Sequence, residues 1–229
     1  MLKKLRKQVC NANKQLHKLG LVTLTWGNAS GICRESGLVI IKPSGVPYKH
    51  LTPDDMVIVD MDGTKVAGQG KPSSDTATHL CLYKAFPNIG GIVHTHSTWA
   101  TIFAQAGKSI PAYGTTHADY FYGTIPCTRA LSGEEIAAEY ALSTGNVIAE
   151  AFEQLDPAAM PGALVKNHGP FTWGTTPIEA VEHAHILEQI AHMAYHTQKL
   201  SAKTPHLAQA LLDKHYFRKH GDGAYYGQK

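Results

Sequence analysis

The sequence is poor in cysteine, in charge and in long apolar runs, and each shortage removes a class of function. Four cysteines occur in 229 residues. Cys10, Cys33, Cys81 and Cys127 lie far apart with no Cys-x-x-Cys pair, which argues against a disulfide framework and suits reduced thiols in a cytosol. Charged residues make up 17% and the formal net charge is +3, without a basic stripe. The densest cluster, Lys214-His215-Tyr216-Phe217-Arg218-Lys219-His220, reads as a terminal helix, so nucleic acid is not an expected partner. No stretch reaches the roughly twenty apolar residues of a bilayer span. The basic start runs into Gln8-Val9-Cys10-Asn11-Ala12-Asn13-Lys14, which is no apolar signal core. Repeats, linkers and low-complexity tracts are also missing. The expectation is one soluble, cytoplasmic domain over residues 1–229 that does not engage a membrane.

Against that background the apolar periodicity is informative. Leu2, Leu5, Val9, Ala12, Leu16 and Leu19 recur in threes and fours, which predicts an amphipathic helix over 2–19 stopped by Gly20. Further helices are predicted over Thr76–Phe86, over Ser97–Gln105, from the capping-box sequence Ser132-Gly133-Glu134-Glu135, from Thr176-Pro177 to about Leu200, and over about 205–219. Strands are predicted at Leu21–Thr25, at Leu38–Lys42, and at Met56–Asp60 and Thr64–Ala67 around the Met61-Asp62-Gly63 turn. Ala163–His168 reads as the last strand. The pattern is α/β, a central and mostly antiparallel β-sheet flanked by α-helices.

The stretch with most chemical content is Gly90-Gly91-Ile92-Val93-His94-Thr95-His96-Ser97. A short apolar run after two glycines reads as a buried strand, and alternation along a strand sends His94 and His96 to one face, as a metal ion requires. Fourteen histidines make a chance His-x-His expected, however. A second copy, His183-Ala184-His185, falls on a predicted helix, where the two side chains diverge by about 200°. The first pair therefore needs corroboration. Asn167-His168-Gly169 offers a third imidazole at a strand end. Pro72-Ser73-Ser74-Asp75-Thr76 opens a helix; a Ser or Asp there is ordinarily an N-cap, although hydroxyls and amides at a helix start also take phosphate. Gly27-Asn28 and Ser44-Gly45 follow predicted strands and offer backbone amides, with Lys42 adding charge.

Taken in order, Thr25-Trp26-Gly27-Asn28, Lys42-Pro43-Ser44-Gly45, Pro72-Ser73-Ser74-Asp75-Thr76, His94-Thr95-His96 and Asn167-His168-Gly169 resemble the class II aldolases of the fuculose-phosphate type, a family that also includes adducin heads. Gly114-Thr115-Thr116-His117-Ala118-Asp119-Tyr120-Phe121 is similar to its epimerase branch, as is the tail from Lys219-His220-Gly221 to Ala224-Tyr225-Tyr226-Gly227-Gln228. The resemblance implies a three-layer fold and one Zn²⁺ per subunit held by His94, His96, His168 and Asp75. The aldolase branch carries an acid/base Glu at the Asp75 position, so Asp there favours the epimerase. It further implies Asp119 and Tyr226 as an acid/base pair, with His215 in support and Glu139 as a looser match. Gly27, Asn28, Lys42, Ser44, Gly45, Ser73 and Ser74 would bind a sugar-phosphate substrate. The implied reaction interconverts L-ribulose 5-phosphate and D-xylulose 5-phosphate by retro-aldol cleavage of C3–C4, rotation of the aldehyde and re-addition. The implied assembly is a homotetramer whose sites are shared between neighbouring subunits. An aldolase releasing its products is the alternative, and an adducin-like scaffold would be expected to lack the complete metal set.

Overall fold

The predicted first helix is present as α1 (Leu2–Lys18), which buries Leu5, Val9, Ala12, Asn13 and Leu16. It closes through Gly20 N–H to His17 O and Leu21 N–H to Leu16 O, the paired bonds of a glycine-terminated helix. The computed structural model describes residues 1–227, so Gln228 of the tail motif lies outside the described residues. In chain order the strands are β1 (Asn28–Cys33), β2 (Leu38–Ile41), β3 (Val57–Val59), β4 (Lys65–Ala67), β5 (Gly91–His94), β6 (Gly162–Leu164) and β7 (Pro170–Gly174). The other helices are α2 (Thr76–Ala85), α3 (Thr98–Ala106), α4 (Thr115–Ala118), α5 (Gly133–Ala137), α6 (Tyr140–Ala151), α7 (Pro177–Leu200) and α8 (Gln209–Phe217). No helix among the described residues is long and apolar enough to cross a membrane.

The strands form a single sheet in the order β4-β3-β2-β1-β5-β7-β6, antiparallel at every pairing. Alternation along the strands divides its side chains between two helical layers. Ala29 and Val93 pack with Ala12 and Leu16 of α1 and Ala180, Val181 and Ala184 of α7. Ile32, Val39, Ile41, Val59 and Ile92 instead join Leu82 and Tyr83 of α2, Phe103 of α3 and Ile148 of α6. The expected antiparallel sheet flanked by helices is thus present.

Two strand expectations fail for identifiable reasons. Leu21–Thr25 is not a strand, because Leu24 takes φ 53° and Trp26 N–H turns back to Thr23 O. The strand is instead Asn28–Cys33, built largely of small residues. Packing demands that smallness: a Cβ on Gly31 would come within 2.8 Å of Pro177 and 2.9 Å of Leu5. Asn13 of α1 fixes the strand, donating to Ala29 O at 3.0 Å and accepting from Ala29 N–H at 2.8 Å. The second failure is Ala163–His168. Only Gly162–Leu164 is strand, and after a tight loop with Asn167 at φ 64° the chain returns as β7. That strand opens on a proline and borders β5. The capping box does open a helix, with Glu135 N–H on Ser132 Oγ and Ser132 N–H on Glu135 Oε2. The helix then breaks and restarts at Tyr140. The last helix covers 209–217 rather than 205–219.

Candidate active site

Strand β5 ends on His94, and the β6–β7 loop carries His168 beside it. His94 is buried and gives its Nδ1–H to Pro170 O at 3.0 Å, which leaves the Nε2 lone pair free. His96 stands two residues beyond the strand end rather than within it, and its Nε2 lies 3.1 Å from that of His94. With His168 the rings form a triangle whose centroids are 4.9, 4.6 and 5.1 Å apart. One nitrogen from each lies within 4.8 Å of the others. Burial drives His94 down to about 3 and also lowers His96 and His168, so all three are neutral near pH 7. Neutral imidazoles with converging lone pairs are what a divalent ion of borderline softness takes, and the donor set fits a metal.

Asp75, just before α2, lines the same cleft but falls outside the three-histidine group. Its Oδ2 accepts from Asn28 Nδ2 at 2.6 Å. Burial would raise this carboxyl, but His94, His79, the Asn28 amide and His168 outweigh it and hold the group below its ordinary value. The same Asn28 amide reaches Ser73 Oγ at 2.9 Å. Gly27 at φ 76° lets the turn press on β5, since a Cβ would come 2.7 Å from His94 O.

The turns read as phosphate binders do meet. Ser44 N–H bonds Lys71 O and Ser73 N–H bonds Lys42 O, a short ladder that zips the two loops together. This corrects one expectation: the Ser44 amide is spent on the ladder. The amides of Gly45 and Ser74 have no partner among the described residues. Lys42 is buried with Nζ 4.8 Å above the Tyr48 ring and donating to Pro43 O, and burial lowers it to about 8. Thr25, Trp26, Gly27, Asn28, Lys42, Ser44, Gly45, Ser73, Ser74, Asp75 and the three histidines thus border one cleft of about 580 Å³.

Tyr140 was missed. It lines the cleft and brings its hydroxyl 3.3 Å from His168 Nδ1. Nothing in the local pattern marks it, because the helix break before it is not written in the capping box. Glu139, its neighbour, is exposed and outside the cleft lining.

Asp119, His215 and Tyr226 do not line this cleft. They form a second cluster between α4 and α8. Arg218 clamps Asp119 with Nε on Oδ1 at 3.0 Å and Nη2 on Oδ2 at 2.7 Å. His215 Nδ1 lies 3.1 Å from Oδ1 and Lys219 Nζ 3.5 Å from Oδ2. Burial would raise the Asp119 carboxyl, yet Arg218, His215 and Lys219 hold it below the usual carboxylate range. The Tyr226 ring lies 4.6 Å from both Arg218 and Lys219 and is 59% exposed.

A sheet-edge cleft where three histidines converge beside glycine- and serine-rich turns marks out a class of protein, and sequence comparison names the family. The chain belongs to the Class II Aldolase and Adducin N-terminal domain family, whose sequence model matches residues 7–195. More particularly, it is 55% identical over 228 residues to L-ribulose-5-phosphate 4-epimerase UlaF of Salmonella paratyphi B, across the full length of both chains. The Salmonella typhi protein of the same name is equally similar over the same span. Among solved structures, an L-fuculose 1-phosphate aldolase superposes with a TM-score of 0.80 at 22% identity, covering 94% of this chain and 95% of that one.

Proposed function

We propose that the chain is an L-ribulose-5-phosphate 4-epimerase that works by breaking and remaking C3–C4. The observation that carries this is the meeting of three converging histidines and glycine- and serine-rich turns in one cleft, in a chain 55% identical throughout to proteins of that name. C4 of a 2-ketose 5-phosphate is β to the carbonyl, so enolisation cannot invert it. Loss of the C4 hydroxyl proton with cleavage of C3–C4 can, because it yields glycolaldehyde phosphate and leaves the electron pair conjugated with the ketone. A Zn²⁺ held by His94, His96, His168 and Asp75, one per subunit, supplies Lewis acidity to the ketone side when bound.

The chain's residues then have one task, to retain the aldehyde while it turns. The Gly45 and Ser74 amides, the hydroxyls of Ser44, Ser73 and Ser74, and the Lys42 ammonium hold its phosphate; Gly27 and Asn28 close the turn beside it. With the phosphate fixed, the aldehyde rotates, presents its other face and is attacked again at C4, and a proton returns to the new alkoxide. Opposite faces need acid/base groups on opposite sides, the parts we give to Asp119 and Tyr226, with His215 in support. Since both lie outside the cleft of their own chain, they serve a neighbouring subunit's cleft in a homotetramer. The free state of all four cysteines supports a cytoplasmic setting.

The test is a product assay. Metal-loaded protein given L-ribulose 5-phosphate should form D-xylulose 5-phosphate, and a chelator should stop it. Stoichiometric release of glycolaldehyde phosphate would identify an aldolase instead, and an inert, fully loaded protein would overturn the reading.

A further inference from the structure

Behind the histidine triangle lies a buried polar chain that the reaction above leaves unused. Ser30 of β1 and His79 and Tyr83 of α2 are fully shielded from solvent. Ser30 Oγ lies 2.7 Å from His79 Nδ1 and 2.9 Å from the Tyr83 hydroxyl. One arrangement gives both hydroxyl protons an acceptor. Burial raises the Tyr83 phenol, so it keeps its proton, and Ser30 Oγ is its partner. Ser30 Oγ, accepting from Tyr83, donates to His79 Nδ1. With Nδ1 accepting from Ser30, a neutral His79 ring carries its single proton on Nε2. That Nε2 is buried with no hydrogen-bond partner among the described residues.

A buried donor without an acceptor is costly and asks for an explanation. The carboxylate placed to supply one is Asp75. It stands four residues earlier, its carbonyl accepts the His79 N–H, and residues so spaced share a helix face. Asp75 is bound through Oδ2 to Asn28. His79 is also packed on the metal side of the sheet, with its ring edge against Phe171 at 6.2 Å, and Phe171 stacks on His94 at 4.2 Å.

We infer that His79 is the positioning residue of Asp75: its Nε2–H, set in that tautomer by Ser30 and Tyr83, receives the carboxylate when Asp75 leaves the Asn28 amide to face a cation. This rests on Asp75 being a metal ligand. A hydrogen-bonded partner of a ligating carboxylate typically sets metal affinity by about 10- to 100-fold. Zn²⁺ affinity of the full-length protein, measured against a chromophoric chelator, is therefore the direct readout. His79→Leu should weaken Zn²⁺ binding of the folded protein by about 10- to 100-fold. His79→Gln, which keeps an N–H where Nε2 stood, should restore affinity to within about threefold.

Asp75→Ala separates the two layers of the reading. It should weaken binding, and Asp75→Ala combined with His79→Leu should bind no more weakly than Asp75→Ala alone. Parental affinity in His79→Leu beside weakened Asp75→Ala overturns the positioning role and leaves the ligand intact. Parental affinity in Asp75→Ala overturns both. A nitrogen-15 NMR tautomer assignment on the unmutated protein does not depend on any variant folding. An Nε2-protonated His79 supports the inference, and an Nδ1-protonated ring overturns it.

Discussion

In the cleft, three imidazoles crowd their nitrogens together beside the Asp75 carboxylate, and among the described residues Lys42 is buried without an acid and Asn28 Oδ1 without a donor. In the α4–α8 cluster, a single carboxylate takes Arg218 twice, His215 once and Lys219 at longer range. The first region is polar and underpaired; the second is polar and saturated. An underpaired region pays its desolvation in advance for a guest, because groups already stripped of water meet charge at full strength. A saturated one is stable by itself, and it leaves the Tyr226 ring exposed. The family model ends at residue 195, before His215, Arg218 and Tyr226, while the full-length likeness runs through them. The cleft residues thus lie within the span that the family model matches, and the tail beyond it is covered by the full-length likeness.

The sharpest way to break that comparison is to separate its two halves onto different chains. His96→Asn removes a metal-side nitrogen, and Tyr226→Phe removes the outward hydroxyl. Each homomer should lose about a thousandfold or more in turnover, the scale of losing several kcal/mol of charge stabilisation. If the site is shared head-to-tail, mixing the two inactive proteins with subunit exchange should restore roughly one quarter of the sites. Proven exchange without recovery would place both halves of the site within one chain.

A middling effect tests the saturation of the cluster. Asp119→Asn leaves Arg218 without its carboxylate and should cost about 2 kcal/mol at neutral pH, as for a hydrogen bond to a charged group. The sign of its pH dependence is fixed. Folding depresses the Asp119 pKa, so its contribution is complete above the unfolded carboxylate pKa of about 3.9 and is lost as pH falls through the folded value. Urea unfolding at one protein concentration should show parent and Asp119→Asn apart at pH 7 and converging in acid. A gap that persists into acid would mean that Asn disturbs packing rather than charge.

The same contrast explains what could be read from sequence. The cleft residues sit in short, contiguous motifs because strand ends and turns bring them to one edge of the sheet, and each motif carries its own local signal: His-x-His, Ser-Ser-Asp before a helix, Asn-His-Gly. Asp119 and Tyr226 carry none, since a lone Asp and a tail Tyr acquire meaning only through residues about a hundred positions away. Strand β1 was misplaced because tertiary crowding by Leu5 and Pro177 selects residues that locally favour turns. Tyr140 was invisible because its place follows from a helix break. Ser30, His79 and Tyr83 carry no local signal, and only the fold leaves His79 Nε2 buried without a partner among the described residues.

The smallest effect concerns the phosphate turns. The Ser44–Lys71 and Ser73–Lys42 bonds leave the Gly45 and Ser74 amides, the serine hydroxyls and Lys42 for the phosphate. The phosphate takes no part in breaking C3–C4 and carries the same charge before and during cleavage, so its contacts stabilise ground and transition states alike. Removing one should raise KM and leave kcat nearly untouched. Ser74→Ala loses a hydroxyl but keeps its amide, so about 1 kcal/mol and about a fivefold rise in KM are expected. The neighbouring charge gives the pH signature. Lys42, lowered to about 8 by burial, is cationic below that value and neutral above it, so KM should climb as pH rises through about 8. With Lys42→Met, KM should be higher at pH 7 and should lose this rise. A Ser74→Ala enzyme that loses kcat in place of KM would mean that the serine touches the reacting carbons, and the phosphate would then have to lie elsewhere in the cleft.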